Sequence, residues 1–233
     1  MAKTTAVATR RKANHAGKDY AAPRKMELAY QTDALMQHGV FPKEFVIYYP
    51  TPPHPEVGGE IEGSVDIGTT RTFINAMTLL ESYGKEGRRG STIRIIMNCY
   101  GGDEYQGMAV YDTIRQSKFD VTIEGRGAVM SMGVFIMQAA NRRLLSANAR
   151  LMVHSGTWGD AGEQHFENHM RAAEEGMKLK DIYLDILWKK IKEKKPKFSR
   201  EKMEELLKFD KFMSAREAVS YGLADYVVRP TQK

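Results

Sequence analysis

The chain has 233 residues, a length that suits one α/β domain with a sizeable core. Its apolar content of 42% and charged content of 27% are ordinary for a soluble globular protein. No apolar run reaches the roughly 18 residues of a membrane-spanning helix, and no secretory signal pattern opens the sequence. The single cysteine, Cys99, excludes an internal disulfide and favours a reducing, cytoplasmic location.

The net charge of +6 is concentrated in residues 1–25, which hold seven Lys or Arg residues and only one acidic residue. This composition predicts a basic, disordered N-terminal arm. A transit peptide, which would direct the protein to an organelle matrix or plastid stroma, is the alternative. Nucleic acid is not an expected partner, because no aromatic residues are interleaved with the charges. A divergent N-terminal region at 26–57 and one folded domain at 58–233 are expected to follow.

Apolar patterning from residue 44 onward predicts strands alternating with helices, which is typical of an α/β protein. The predicted strands are 44–49, 91–98 and 119–125, two short strands within 143–156 around an Asn turn, and a last strand after Gly222. The predicted helices are 70–84, 105–117, about 163–195, 199–209 and, after a capping box at Ser214 and Glu217, 214–221. Proline- and glycine-rich stretches at 50–60 and 84–90 predict loops.

The helix predicted at 163–195 would be about 50 Å long. That length exceeds what a domain of this size can enclose. We expect this helix to project from the domain and to pack against another subunit.

Two predicted junctions join a strand to a helix through glycine-rich turns, "IIMNCYGGDEYQG" (95–107) and "TIEGRGAVMSMGVF" (122–135). Glycines permit positive φ, so that backbone amides can point into a shared space. Ser131 at the second junction lies near the start of a helix, where unpaired amides stabilise negative charge. The serine is either a nucleophile or a small residue that lets two backbones pack closely, and the junctions alone leave both readings open.

A nucleophilic serine requires a base, and His154 is the strongest candidate among six histidines because it ends an apolar strand. His165 and His169 lie four residues apart on the long helix, where a solvated face is expected rather than a metal site. Asp210 could orient the imidazole, and its apolar neighbours predict that it is partly buried. Cys99 is a weaker alternative nucleophile.

Three segments together resemble the ATP-dependent Clp protease proteolytic subunit family. They are "GAVMSMG" (127–133), "NARLMVH" (148–154) and "FDKFMSAREAVSYGLAD" (209–225). The resemblance covers residues 60 to about 229. It implies an α/β fold of the ClpP/crotonase-like type, a spiral of strand-strand-helix units with a long protruding handle helix.

The resemblance also implies a serine endopeptidase that needs no metal or cofactor. The family's catalytic serine, histidine and aspartate correspond to Ser131, His154 and Asp210. Its oxyanion-hole amides correspond to Gly102, in the turn "CYGG", and to Met132, which follows the nucleophile.

The implied partners are copies of the same chain, in heptameric rings that can stack in pairs, an AAA+ unfoldase of the Clp type, and polypeptide substrates. Cys99–Tyr100 replaces the family's Ser-Pro, and Lys211 replaces an arginine used in ring–ring contacts. The replacement at Lys211 leaves ring stacking open. The alternatives are a crotonase-fold acyl-CoA enzyme, a serine–lysine peptidase and a catalytically inert ring subunit.

Overall fold

The computed structural model of the chain describes residues 21–51, 63–84, 92–156 and 165–229, with the backbone alone at 21–29 and 83–84. The expectations for residues 1–20, for most of the proline-rich loop and for the turn that follows residue 84 lie outside these ranges. Residue 57 lies outside them as well, and the proposed domain boundaries at residues 25 and 57 stay predictions.

The described residues form ten strands, seven α-helices and one 3₁₀ turn at Pro42–Glu44. The helices are α1 Ala21–His38, α2 Ile67–Gly84, α3 Glu104–Gln116, α4 Met132–Met137, α5 Phe166–Lys194, α6 Arg200–Leu207 and α7 Ala215–Tyr221. The strands are β1 Val40–Phe41, β2 Val46–Tyr49, β3 Ser64–Val65, β4 Thr92–Cys99, β5 Gly101–Gly102, β6 Asp120–Met130, β7 Arg142–Ser146, β8 Arg150–Val153, β9 Lys211–Ser214 and β10 Tyr226–Val228. None of these helices is both long enough and apolar enough to cross a membrane.

The predicted α/β class and the predicted helices are confirmed, with ends shifted by up to three residues. The capping box of α7 is present: the Ser214 hydroxyl accepts from the Glu217 amide, and the Glu217 carboxylate accepts from the Ser214 amide. Gly222 ends α7 in the left-handed conformation. Helix α5 has 29 residues, about 44 Å of helix, and its packing against another subunit stays a prediction. Helix α1 was not predicted, because its apolar residues lack a clear helical period.

The main sheet has eight strands, with the order β1-β2-β4-β6-β7-β10, and in addition β8 pairs with β6 and β9 pairs with β8. Strands β2, β4, β6, β7 and β10 run parallel to one another. Central strand β4 buries alternate apolar side chains completely, among them Ile93, Ile95 and Met97. Because parallel strands end at the same edge of a sheet, the loops that follow them gather there.

Strand β6 is longer than predicted, because it continues through a kink at Gly127. Gly127 has φ +65°, and the Asn98 side chain accepts a hydrogen bond of 2.9 Å from the Ala128 amide. Before the kink β6 pairs with β7, and after it β6 pairs with β8. The kink therefore transfers the strand from one neighbour to another and carries its last residues toward β8.

The strands around this kink bring three chain segments to one edge. Strands β6 and β8 are parallel, with Met130 opposite Met152, so Ser131 and His154 both follow strand ends at that edge. Strands β8 and β9 are antiparallel, with Val153 opposite Lys211, so Asp210 lies just before β9 at the same edge. Strand β9 was not predicted from the sequence.

We expect Gly127→Ala to lower the free energy of unfolding by about 1–2 kcal/mol, because an L-residue is strained at this φ. A Cβ at residue 127 would also lie 2.8 Å from Asn98 Oδ1. Urea denaturation measures the change. Gly176→Ala, within helix α5, is the matched control and should stabilise the protein by up to about 1 kcal/mol. Equal effects of the two substitutions would contradict a strained kink.

Candidate active site

Ser131 connects β6 to α4 in a strained backbone conformation. Its φ of +51° and ψ of −124° lie outside the regions that L-residues ordinarily populate. Its amide donates to the Met152 carbonyl at 2.8 Å, and its carbonyl accepts from the Val134 amide at 2.9 Å. Backbone hydrogen bonds on both sides therefore hold the conformation that presents the hydroxyl. Helix α4 has only six residues, so its dipole is a smaller source of charge stabilisation than the sequence suggested.

The His154 ring faces the serine hydroxyl. Its Nε2 lies 2.8 Å from Ser131 Oγ, a good hydrogen-bond distance. The His154 side chain is only 16% exposed, so neighbouring residues hold the ring in place by packing. In the tautomer that carries the proton on Nδ1, Nε2 is free to accept the serine proton.

Asp210 lies on the far side of the imidazole, with its Oδ1 3.3 Å from His154 Nδ1. The prediction that its apolar neighbours partly bury this aspartate is wrong, since the side chain is 57% exposed. Of the three apolar neighbours of Asp210, Phe209 and Phe212 are exposed and Met213 is buried. The reason is the alternation of β9, which directs Met213 into the core while its neighbours face outward.

The turn "CYGG" packs directly against the serine. A Cβ at Gly101 would lie 2.6 Å from the Cβ of Ser131, and a Cβ at Gly102 would lie 2.3 Å from the Val65 carbonyl oxygen. Both glycines have positive φ. Only glycine therefore permits β5 to lie between β3 and Ser131.

Gly102 and Met132, the two residues expected to supply oxyanion-hole amides, line one cavity of about 420 Å³ together with Ser131 and His154. Met132 is buried, so its amide is held on a well-packed segment. The cavity continues into a second one of about 500 Å³ along the first half of α5. Five residues, among them Glu104 and Leu179, line both cavities, so the two adjoin.

Tyr183 of α5 is a supporting residue that sequence reasoning missed. Its hydroxyl donates to the Ser131 carbonyl at 3.4 Å, and its ring stacks on Phe135 with 5.7 Å between centroids. Burial raises the pKa of Tyr183 well above its usual range, so the hydroxyl stays protonated. Tyr183 lies 52 positions from Ser131 in the chain, so no local sequence pattern could have predicted their contact.

The other histidine pair is not part of the site. His165 and His169 lie exposed at the start of α5, as expected for a solvated face. Among the residues that the structure describes, no group of three His, Cys, Asp or Glu side chains could hold a metal ion.

Comparison with known proteins identifies relatives with a stated activity. The family described as Clp protease matches residues 60–231. A relative from Deinococcus radiodurans, named ATP-dependent Clp protease proteolytic subunit, is 32% identical over 179 residues. This alignment covers 76% of the chain and 80% of the relative.

Cys99 is poorly placed to act as a nucleophile. The side chain is fully buried at the end of β4, and its thiol packs close to Gly133. Burial raises the pKa of Cys99 to about 12, an effect only partly offset by a hydrogen bond from the Gly101 backbone. Since the thiolate is the reactive form, the thiol is inert at neutral pH.

We therefore expect iodoacetamide to leave Cys99 unmodified in the native protein at pH 7, because the thiol is buried and its raised pKa keeps it protonated. The same reagent should alkylate the chain once after denaturation in urea. Intact-mass spectrometry distinguishes the two states. Alkylation of the native protein at the rate of a free thiol would show that the thiol is accessible and ionised.

Proposed function

The chain belongs to the Clp protease family, and on that premise we propose that it is a serine endopeptidase that uses Ser131, His154 and Asp210. The observation that carries the proposal is the 2.8 Å contact between Ser131 Oγ and His154 Nε2, with Asp210 on the other ring nitrogen. Nucleophile, base and orienting carboxylate are in the order that acyl transfer requires.

In this mechanism the Ser131 hydroxyl attacks the carbonyl carbon of a peptide bond while His154 Nε2 takes the hydroxyl proton. Asp210 keeps the other ring proton on Nδ1 and stabilises the imidazolium that forms. His154 then gives its proton to the leaving amine, and the C–N bond breaks. Water, deprotonated by the same imidazole, hydrolyses the acyl-enzyme and regenerates the serine.

The negative charge on the tetrahedral intermediate would be stabilised by the amides of Gly102 and Met132. Each such donor is commonly worth about 3 kcal/mol of transition-state stabilisation. Their positions support this assignment, because Gly102 and Met132 both line the cavity that contains Ser131 and His154. Peptide substrates would extend along this cavity and its continuation beside α5.

We expect Ser131→Ala to abolish hydrolysis of short fluorogenic peptides, with a loss of at least about 10³-fold in kcat/KM. A fluorophosphonate probe should label the wild-type protein once, at Ser131, and should not label the alanine variant. His154→Ala should also prevent labelling, because the hydroxyl would lose its base.

Ser220, a serine on the exposed part of α7, provides the control, and Ser220→Ala should leave both readouts unchanged. A crotonase-type enzyme or an inert ring subunit would show no labelling of Ser131. That result would contradict the proposed function.

We further propose that the chain assembles into heptameric rings that can stack in pairs and that a Clp-type AAA+ unfoldase delivers polypeptides to them in the cytoplasm. The support comes from family membership, from the words "ATP-dependent" in the relative's name and from α5. That helix exposes a series of large apolar side chains in the isolated chain, Phe166, Met170, Met177 and Ile182.

Native mass spectrometry should therefore find particles seven or fourteen times the chain mass of 26.4 kDa. The predicted burial of α5 in an interface requires such an assembly. Phe166→Glu should shift the distribution toward smaller species, because a carboxylate is costly to bury. A wild-type protein that is monomeric at micromolar concentration would contradict the ring.

A further inference from the structure

Among the residues that the structure describes, three carboxylates line the two joined cavities, and two of them already have partners. Asp103 accepts a hydrogen bond of 2.8 Å from the Gln106 amide as the N-cap of α3. Glu175 pairs with Lys178 at 3.2 Å and accepts from the Tyr105 hydroxyl at 3.5 Å. Both are thus engaged in holding local structure.

Glu104 is the third carboxylate, and it lines both cavities. No other side chain in the described parts of the chain hydrogen-bonds or forms an ion pair with it. Its Oε1 would lie 3.4 Å from a Cβ at Gly156, two residues after His154. The carboxylate therefore lies beside the reacting groups, and among the described residues only its own backbone amide hydrogen-bonds to it.

The surroundings of Glu104 act on its carboxyl group in both directions, and the net effect raises its pKa. Partial burial and the charge of Asp103 raise its pKa, whereas its own backbone amide and the nearby His154 act in the opposite direction. It occupies the first turn of α3, where the helix dipole also favours an anion. An exposed carboxylate that pairs with no other described side chain favours a cationic ligand.

The surroundings of Glu104 suit a long side chain with a cationic end. Leu179 lines both cavities and offers apolar surface to an aliphatic stem, as lysine and arginine require. Among the described lining residues Lys180 is the one lysine or arginine, and it makes the potential in the cavities less negative than the carboxylates alone would.

We infer that Glu104 is a specificity-determining residue whose carboxylate selects polypeptides with a lysine or arginine side chain next to the scissile bond. The inference rests on the proposed peptidase function, because it concerns the substrate of the same site. The Glu104 carboxylate would select cleavage positions by charge, which the residues Ser131, His154 and Asp210 do not do.

The test uses the full chain and a mixture of short peptides that are acetylated at the N-terminus and amidated at the C-terminus. Their only cations are then side chains. The peptides carry Lys, Arg, Met, Leu or Glu at either residue flanking the cleavage position, and mass spectrometry of the products gives relative kcat/KM values.

We expect the wild-type protein to cleave next to Lys or Arg about tenfold faster than next to Met, the size of a charge-assisted hydrogen bond that is partly exposed to solvent. Glu104→Gln should reduce this ratio to about one. Lys180→Gln should increase the ratio, because it removes the competing cation.

Glu174→Gln is the matched control, since Glu174 is exposed on α5 and lines neither cavity. It should keep the wild-type ratio. Fluorophosphonate labelling of Ser131 in Glu104→Gln verifies that the altered protein is folded with an intact nucleophile.

An unchanged ratio in Glu104→Gln, or a wild-type preference for Met or Leu, would overturn the inference while leaving the peptidase function in place. Absence of any cleavage by the wild-type protein would overturn both. A preference for Glu at the flanking positions would show that Lys180, not Glu104, dominates the cavity.

Discussion

The candidate site depends on the pairing of β8 with two neighbours of opposite direction. Its parallel pairing with β6 places Ser131 and His154 at one edge of the sheet, and its antiparallel pairing with β9 places Asp210 at the same edge. Three residues separated by up to 79 positions therefore become neighbours through backbone hydrogen bonds. Side-chain contacts then adjust the geometry within a frame that the strands already provide.

The kink in β6 makes this pairing possible. The residues of β6 before the kink pair with β7, and those after it are free to pair with β8. Gly127 supplies the required backbone conformation, and Asn98 on β4 binds the amide that the kink exposes. A single amide side chain thus satisfies the backbone where the strand changes partner.

Ser131 shows a second use of constrained backbone. Its unusual φ and ψ persist because the Met152 carbonyl, the Val134 amide and the Tyr183 hydroxyl bind its backbone groups. The glycine turn of β5 leaves room for the serine where any larger residue would collide with it. Strain at one residue is offset by several ordinary hydrogen bonds, as is common at functional sites.

Local patterns predicted much of this arrangement. Helix α7 is marked by its own capping box and by Gly222, and the alternation of β4 is evident in the sequence. The three motif segments identified the family and the residues that the structure brings together.

Features that depend on distant residues could not be predicted. The glycines of β6 resemble the end of a strand, because the Asn98 side chain that sustains the strand lies 30 positions from Ala128. The exposure of Asp210 depends on the direction of an unpredicted strand, not on its apolar neighbours. Glu104 is one of 29 acidic residues, and only the fold shows that it reaches the cavity beside His154.

The central claim is that Ser131 and His154 act as one unit, and a double-mutant cycle on kcat/KM for a short peptide tests it most directly. If the histidine acts only through the serine, His154→Ala should cost nothing further in a protein that already carries Ser131→Ala. Residual rates for the single serine variant and the double variant should then agree within about twofold. A double variant slower than the serine variant by the full factor of His154→Ala alone would show independent roles and contradict the account.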